Sequence, residues 1–231
     1  MKIIKVENRD QGVLEVAKAF MDKSASDPAA PVGLATGATM LGVYEALATF
    51  GFKPGFQDAF ALDEYEGLSA DHPNSYARYL DEHFSKALGF AGQIHVPGQG
   101  DYEGALGLEA FEASIDSLGP ISVQLLGLGP NGHVAFNEPG SEPTSTTRKV
   151  ELADQTISAN RKYFDPPTSI PGYAFTQGLA TISKAQSLIV AAFGEEKREA
   201  LNQALDASVT GTPFSAIRDH QDLSLVTDLL N

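Results

Sequence analysis

Short apolar runs alternate along the chain with longer stretches in which apolar residues recur every three or four positions. That pattern predicts strands interleaved with amphipathic helices. Residues 3–6, 31–35, 58–62, 121–126, 188–193 and 223–227 read as strands. The run at 121–126, too short for a buried helix, suits a strand covered on both faces. Val13, Val16, Ala17 and Phe20 share one face of a first helix, capped by Asp10. Leu41, Tyr44 and Leu47 mark a second helix, and Tyr76, Tyr79, Leu80 and Phe84 a third that comes after a turn over residues 71–75. A fourth spans 101–118 with Leu106, Phe111 and Ile115 toward the core, and Arg148, Lys149 and Val150 lead into a fifth over 153–160. Asp165, Pro166 and Pro167 stop any helix there. Residues 94–97 and 173–176 read as extended, and 215–217 as a late strand piece. A last long helix turns Ala200, Leu201, Ala204 and Leu205 inward. The alternation predicts an α/β fold whose mostly parallel sheet is covered by helices on both faces. With no linker-like stretch or internal repeat, one domain over residues 1–231 is expected.

Composition narrows the function classes. Hydrophobic residues make up 42% of 231, a globular level. The absence of cysteine excludes a disulfide framework and a thiolate metal site. No apolar run reaches membrane-span length, so a cytoplasmic protein is expected. The formal charge of −14 repels nucleic acid and anionic membranes, and no basic stripe offsets it. A small anionic ligand would meet the same field. Any phosphate site must therefore rest on backbone amides and a few placed Lys or Arg residues.

Candidate chemistry clusters at three strand ends. After the apolar run to Leu126, the residues Gly127, Gly129, Pro130, Asn131 and Gly132 force a turn, and His133 and Glu138 come next within an apolar hexapeptide. An imidazole and a carboxylate just past a buried strand sit where open α/β sheets bind ligands. A loop histidine beside an exposed acid is the bland alternative. Thr36, Gly37, Ala38 and Thr39 turn a strand into a helix, leaving backbone N–H groups as an anion site or serving only close packing. Asp63 and Glu64 come directly after the strand at 58–62, as a solvated edge or as groups reaching into the ligand crevice.

Three stretches resemble the glucosamine-6-phosphate deaminase family: Gly33-Leu34-Ala35-Thr36-Gly37-Ala38-Thr39, Leu62-Asp63-Glu64-Tyr65-Glu66-Gly67-Leu68 and Gly132-His133-Val134-Ala135-Phe136-Asn137-Glu138-Pro139-Gly140. Further matches run through Arg161-Lys162-Tyr163-Phe164-Asp165, Gly194-Glu195-Glu196-Lys197 and Pro213-Phe214-Ser215-Ala216-Ile217. The Asn-Glu-Pro segment after His133 separates this family from lactonases of the same Rossmann-like fold. The resemblance implies a cytoplasmic enzyme that converts glucosamine 6-phosphate and water to fructose 6-phosphate and ammonia, with no metal or organic cofactor. By family match Asp63 is the base that moves a proton from C2 to C1, and His133 serves ring opening. Glu138 orients and tunes His133, and Asn131 stands where many relatives carry aspartate. The phosphate is expected over Thr36, Gly37, Ala38 and Thr39, with Lys197 and either Arg161 or Lys162. A lid is expected over about residues 147–175.

The rival enzyme readings are a galactosamine-6-phosphate deaminase and a phosphogluconolactonase. The rival of another class is a catalytically silent sugar-phosphate-sensing module. Longer relatives are hexamers activated by an N-acetylated sugar phosphate, bound partly through basic residues near Arg148 and a C-terminal extension. Here Lys149 is offset and the chain ends at Asn231, so an unregulated monomer is expected.

Overall fold

The structure, a computed structural model, describes residues 1–166 and 170–230. Ten strands are assigned among them: β1 (Lys2–Lys5), β2 (Val32–Leu34), β3 (Asp58–Ala61), β4 (Asp63–Tyr65), β5 (Gln93–His95), β6 (Val123–Gly127), β7 (Arg148–Glu151), β8 (Tyr173–Thr176), β9 (Leu188–Ala192) and β10 (Leu223–Thr227). The helices are α1 (Arg9–Ser26), α2 (Ala38–Thr49), α3 (Tyr76–Leu80), α4 (Gly104–Leu118), α5 (Asp154–Asn160), α6 (Leu179–Ser183), α7 (Arg198–Leu205) and α8 (Pro213–Ile217).

Seven strands form one sheet in the order β1-β10-β9-β6-β2-β3-β5, parallel throughout. Successive residues of a strand point to opposite faces, so a strand buried at every position is covered on both. β2, β9 and β10 are buried along their whole length, as the apolar runs predict. From β2 the chain moves outward through β3 to β5, and from β6 it moves the other way through β9 to β10. The β2/β6 boundary is therefore the topological switch point, and ligands in open α/β sheets bind outside the carboxyl ends of such strands.

A second, antiparallel sheet, β4-β8-β7, accompanies the expected parallel one and is not foreseen in the pattern. It gathers a small apolar cluster of Tyr65, Phe136, Leu152, Phe164 and Ala174, separate from the main core. Residues 148–150, expected to lead straight into a helix, form β7 instead, paired along its length with β8. Its alternating burial is the two-residue period of a strand with one face covered.

Other differences are local. Asn8, not Asp10, caps α1, its side chain accepting from the Gln11 backbone N–H at 3.0 Å. Leu106 is 79% exposed rather than core. It lies five residues from Phe111, roughly 140° around the helix, whereas Leu108, Phe111 and Ile115 repeat at the three- and four-residue spacing of one face. Residues 215–217 belong to α8, because Thr212 caps it and Pro213 fits the first turn, where a missing N–H goes unnoticed. The last long helix is shorter than the pattern suggests, since residues 195–197 form a 3₁₀ turn before α7. In the expected lid, residues 167–169 lie outside the described residues, as does Asn231.

Candidate active site

Loops from the two strands at the switch point meet at a cavity of about 400 Å³. From β2 come Thr36, Gly37, Ala38 and Thr39; from β6 come Gly129 and His133. Asp63 reaches it from the start of β4, Lys197 from the turn before α7, and Thr156 and Lys162 from α5 and the turn behind it. Asp63, His133 and the anion turn, far apart in sequence, thus face one space.

Gly37 makes the turn possible. It is the N-cap of α2 with φ of 96°, a conformation disfavoured for any residue with a Cβ, and it leaves the first N–H groups of α2 open toward the cavity. The positive end of the helix dipole points the same way. Lys197 adds a half-buried ammonium, its pKa lowered by burial and by the nearby Arg9, and opposed by Glu196 and Asp228.

Asp63 is 7% exposed. Burial, reinforced by the charge of Glu64 beside it, pushes its pKa from 3.8 to about 8. Glu64 is not the solvated acid that a strand end might carry; it is fully buried. Its carboxylate accepts from Ser75 Oγ at 2.7 Å and from the backbone N–H groups of Tyr65, Tyr76 and Ala77 at 2.8, 3.0 and 2.9 Å. Burial raises its pKa, and these hydrogen bonds at the start of α3 oppose the rise. Glu64 is therefore a fixed neighbour of Asp63, and its charge, when ionised, raises the Asp63 pKa.

His133 is held by a chain of contacts rather than by Glu138 directly. Its ring Nδ1 lies 2.6 Å from Asn131 Oδ1, and its backbone N–H donates to the same oxygen at 3.2 Å. Asn131 Nδ2 donates to Glu138 Oε2 at 2.6 Å, and Thr156 Oγ1 donates to Glu138 Oε1. A carboxylate only accepts, so Glu138 fixes which end of the Asn131 amide faces the imidazole. Asn131 then offers His133 an acceptor, placing the proton on Nδ1 and leaving Nε2 as a lone-pair base. Burial lowers the His133 pKa below 6.5, Glu138 raises it and Lys197 lowers it further. Gly129 lies flat against the ring: an added Cβ would sit 2.3 Å from Nε2 and Cε1. Ala135, with φ of 52°, holds the tight turn in which Val134 and Asn137 exchange backbone hydrogen bonds. Such left-handed strain in a non-glycine residue tends to collect at functional sites.

Of the residues singled out in the sequence, Asp63, His133, Thr36, Gly37, Ala38, Thr39, Lys162 and Lys197 line the cavity. Asn131 and Glu138 stand behind His133. Arg161 does not line it, so of the adjacent basic pair it is Lys162 that does. Sequence reasoning missed Arg9, Thr156, Asn160 and Tyr163, all of which line it. A signal existed for the last three: spaced four and three apart, they form a polar stripe on the inner face of the α5 segment.

Arg148 and Lys149, expected to mark an effector site in longer relatives, are engaged internally. Arg148 donates to Asn137 Oδ1 at 2.8 Å and to Ser141 Oγ at 3.4 Å, and Lys149 pairs with Glu66 at 2.6 Å. Among the described residues no helix is long and apolar enough to cross a membrane.

A parallel sheet whose switch point gathers the Gly37 turn, Lys197, a buried carboxylate and an imidazole around one cavity defines an α/β protein with a candidate site for a small anionic ligand. The family model for glucosamine-6-phosphate isomerases and 6-phosphogluconolactonases matches residues 7–226, and the chain belongs to that family. It is 35% identical to a glucosamine-6-phosphate deaminase of Staphylococcus epidermidis, over 99% of this chain and 97% of the relative. It is 38% identical to one of Rhodopirellula baltica, over 96% of this chain and 91% of that one. A solved structure of a monomeric glucosamine-6-phosphate deaminase superposes with a TM-score of 0.91 at 33% identity, covering 98% of this chain and 97% of that chain. A 6-phosphogluconolactonase from Trypanosoma cruzi shares the fold, with a TM-score of 0.77 at 18% identity over 99% of this chain and 95% of that one.

Proposed function

We propose that the protein is a glucosamine-6-phosphate deaminase, converting glucosamine 6-phosphate and water to fructose 6-phosphate and ammonia. The reading is carried by one observation: Asp63 and His133, from different strands, line the cavity that also holds the Gly37 turn and Lys197. The sugar phosphate binds with its phosphate over residues 36–39 beside Lys197 and Lys162, which turns the reacting carbons toward Asp63 and His133.

His133 opens the ring. Its Nε2 takes the proton of the C1 hydroxyl and, as imidazolium, returns it to the ring oxygen. The charge of Glu138, relayed through Asn131, stabilises that imidazolium. Asp63 then removes the C2 proton from the open aldehyde while the substrate's own C2 ammonium gives a proton to the C1 oxygen, leaving a neutral enolamine across C1 and C2. The same carboxyl delivers its proton to C1, leaving an iminium at C2. Water adds there and ammonia departs, which balances the reaction. A carboxylate with a pKa near 8 suits both halves of this transfer, being a stronger base than an ordinary aspartate and still a competent acid.

The lid is assigned to the segment between β7 and β8. Both strands are tied into the small sheet, so the moving part of the proposed lid is α5 with the turn over residues 161–163 behind it. Closing that part over the sugar shields the enolamine from water. The reading extends to a cytoplasmic, unregulated monomer, supported by the monomeric solved relative and by the internal pairing of Arg148 and Lys149.

An ammonia-release assay on glucosamine 6-phosphate and its galacto epimer tests the function. Faster turnover of the gluco substrate is expected; a preference for the galacto epimer transfers the assignment to it, and no ammonia from either overturns it. Thr156 offers a second test. Thr156→Val removes one of the hydrogen bonds holding Glu138, and kcat is expected to fall about tenfold or more, since hydrogen bonds to charged groups contribute roughly 1.5–3 kcal/mol. Thr156→Ser should restore most of the rate, and an unchanged rate in the Val variant would remove Thr156 from the relay.

A further inference from the structure

We propose that Arg9 is a ligand-binding residue of this site, a side-chain cation for a phosphate monoester dianion in addition to Lys197 and Lys162. The inference rests on the sugar-phosphate reading above and adds a residue to it.

Arg9 occupies the first turn of α1, directly after the Asn8 cap. A cation there faces the positive end of its own helix dipole, where an acidic residue is the stabilising choice. Its placement therefore asks for another explanation. The side chain crosses to the head of α2, where Nη2 donates to the Ala38 carbonyl at 2.9 Å. That anchor holds the guanidinium at the lip of the cavity beside Gly37, Thr39 and Lys197. Among the described residues no carboxylate lies within ion-pair distance of Arg9. Glu196, which also lines the cavity, has its carboxylate turned back against Gly194.

Two cations and the N-terminus of α2 thus share one corner of a chain whose formal charge is −14. Arg9 is close enough to Lys197 to disfavour its charged form, while Glu196 and Asp228 favour it. Like charges held together in an otherwise acidic protein are relieved by an anion between them. With one guanidinium nitrogen on Ala38, the remaining N–H donors are available for phosphate oxygens in the planar fork that suits them. The arrangement also answers the presence of Lys162, which supplies a point charge without such a fork.

The experiment compares wild type with Arg9→Gln and Arg9→Lys. Two readouts are used: steady-state ammonia release from glucosamine 6-phosphate, and calorimetric titration with inorganic phosphate. Arg9→Gln keeps a polar side chain and loses the charge. It is expected to raise KM and the phosphate Kd about tenfold each, with kcat within about twofold. Arg9→Lys should recover a large part of both losses. Unchanged KM and phosphate Kd in Arg9→Gln would reduce Arg9 to a tether for Ala38 and overturn the proposal, as would a loss confined to kcat. Melting temperatures of the variants, expected to match wild type, separate lost binding from lost folding; a lowered value with both affinities restored on cooling also overturns it. If wild type releases no ammonia, the functional reading fails, and the phosphate titration still decides the role of Arg9.

Discussion

Asp63→Asn is expected to lower kcat about a thousandfold, within the range that general-base catalysis contributes, while KM for the sugar phosphate changes little. Asparagine keeps the shape of the side chain and cannot accept the C2 proton. The proposed phosphate contacts lie on other elements, so binding should persist. The same substitution should stabilise the fold at high pH. In the unfolded chain Asp63 ionises near its ordinary 3.8; in the native protein burial and Glu64 hold it protonated to about 8. The native state therefore binds the extra proton, and stability falls as pH rises from about 4 to about 8. Above that window wild type carries a buried carboxylate, whereas the variant carries a neutral amide. Melting curves at pH 5 and pH 9 should show the variant's advantage growing with pH, the mark of a residue kept for chemistry at the expense of stability. For wild type, kcat/KM should climb as pH approaches 8, because only the ionised carboxylate can act as the base. A pH-independent difference in melting temperature, or a variant with ordinary turnover, would remove Asp63 from this role.

Much of the site was legible because it is written into strand ends. A buried strand succeeded at once by a glycine turn, an aspartate or a histidine places those groups at the mouth of a parallel sheet, and Gly37, Asp63 and His133 all obey that rule. The fold class was legible for the same reason, since strands buried on both faces stand out as unbroken apolar runs. The features that escaped were decided by contacts between distant elements. Asn131 is marked by the family match, but that Glu138 orients its amide toward His133 shows only in the contacts. Glu64 reads as either a solvated edge or a group reaching into the crevice until α3 is seen to begin on its carboxylate. Arg9 and Thr156 sit on ordinary helices, and only the packing of α1 on α2 and of α5 over the cavity brings them to its wall. Leu106 fails in the opposite direction: an apolar residue in a helix, roughly 140° from its core face, gains nothing from its hydrophobicity.

His133→Gln carries the second large effect, and it separates proton transfer from binding. The glutamine amide can still meet Asn131 but cannot shuttle a proton from the C1 hydroxyl to the ring oxygen. A loss of about a hundred- to ten-thousandfold in kcat is expected, the span for a missing general acid–base group. The phosphate affinity should be unchanged, or slightly stronger: Lys197 and His133 oppose each other's charge, so removing any imidazolium can only favour the ammonium. Because burial lowers the imidazole below 6.5, wild type works from neutral His133 at pH 7, and kcat/KM should fall as acid protonates it. That acid limb should vanish from the residual activity of the variant, leaving the rise toward pH 8 that belongs to Asp63. The open-chain aldehyde supplies the decisive comparison. A substrate analogue that cannot close its ring bypasses the step assigned to His133, so its turnover should be nearly equal in wild type and His133→Gln and should still be abolished in Asp63→Asn. Equal sensitivity of the closed and open substrates to His133→Gln would move the imidazole out of ring opening and into the later proton transfers.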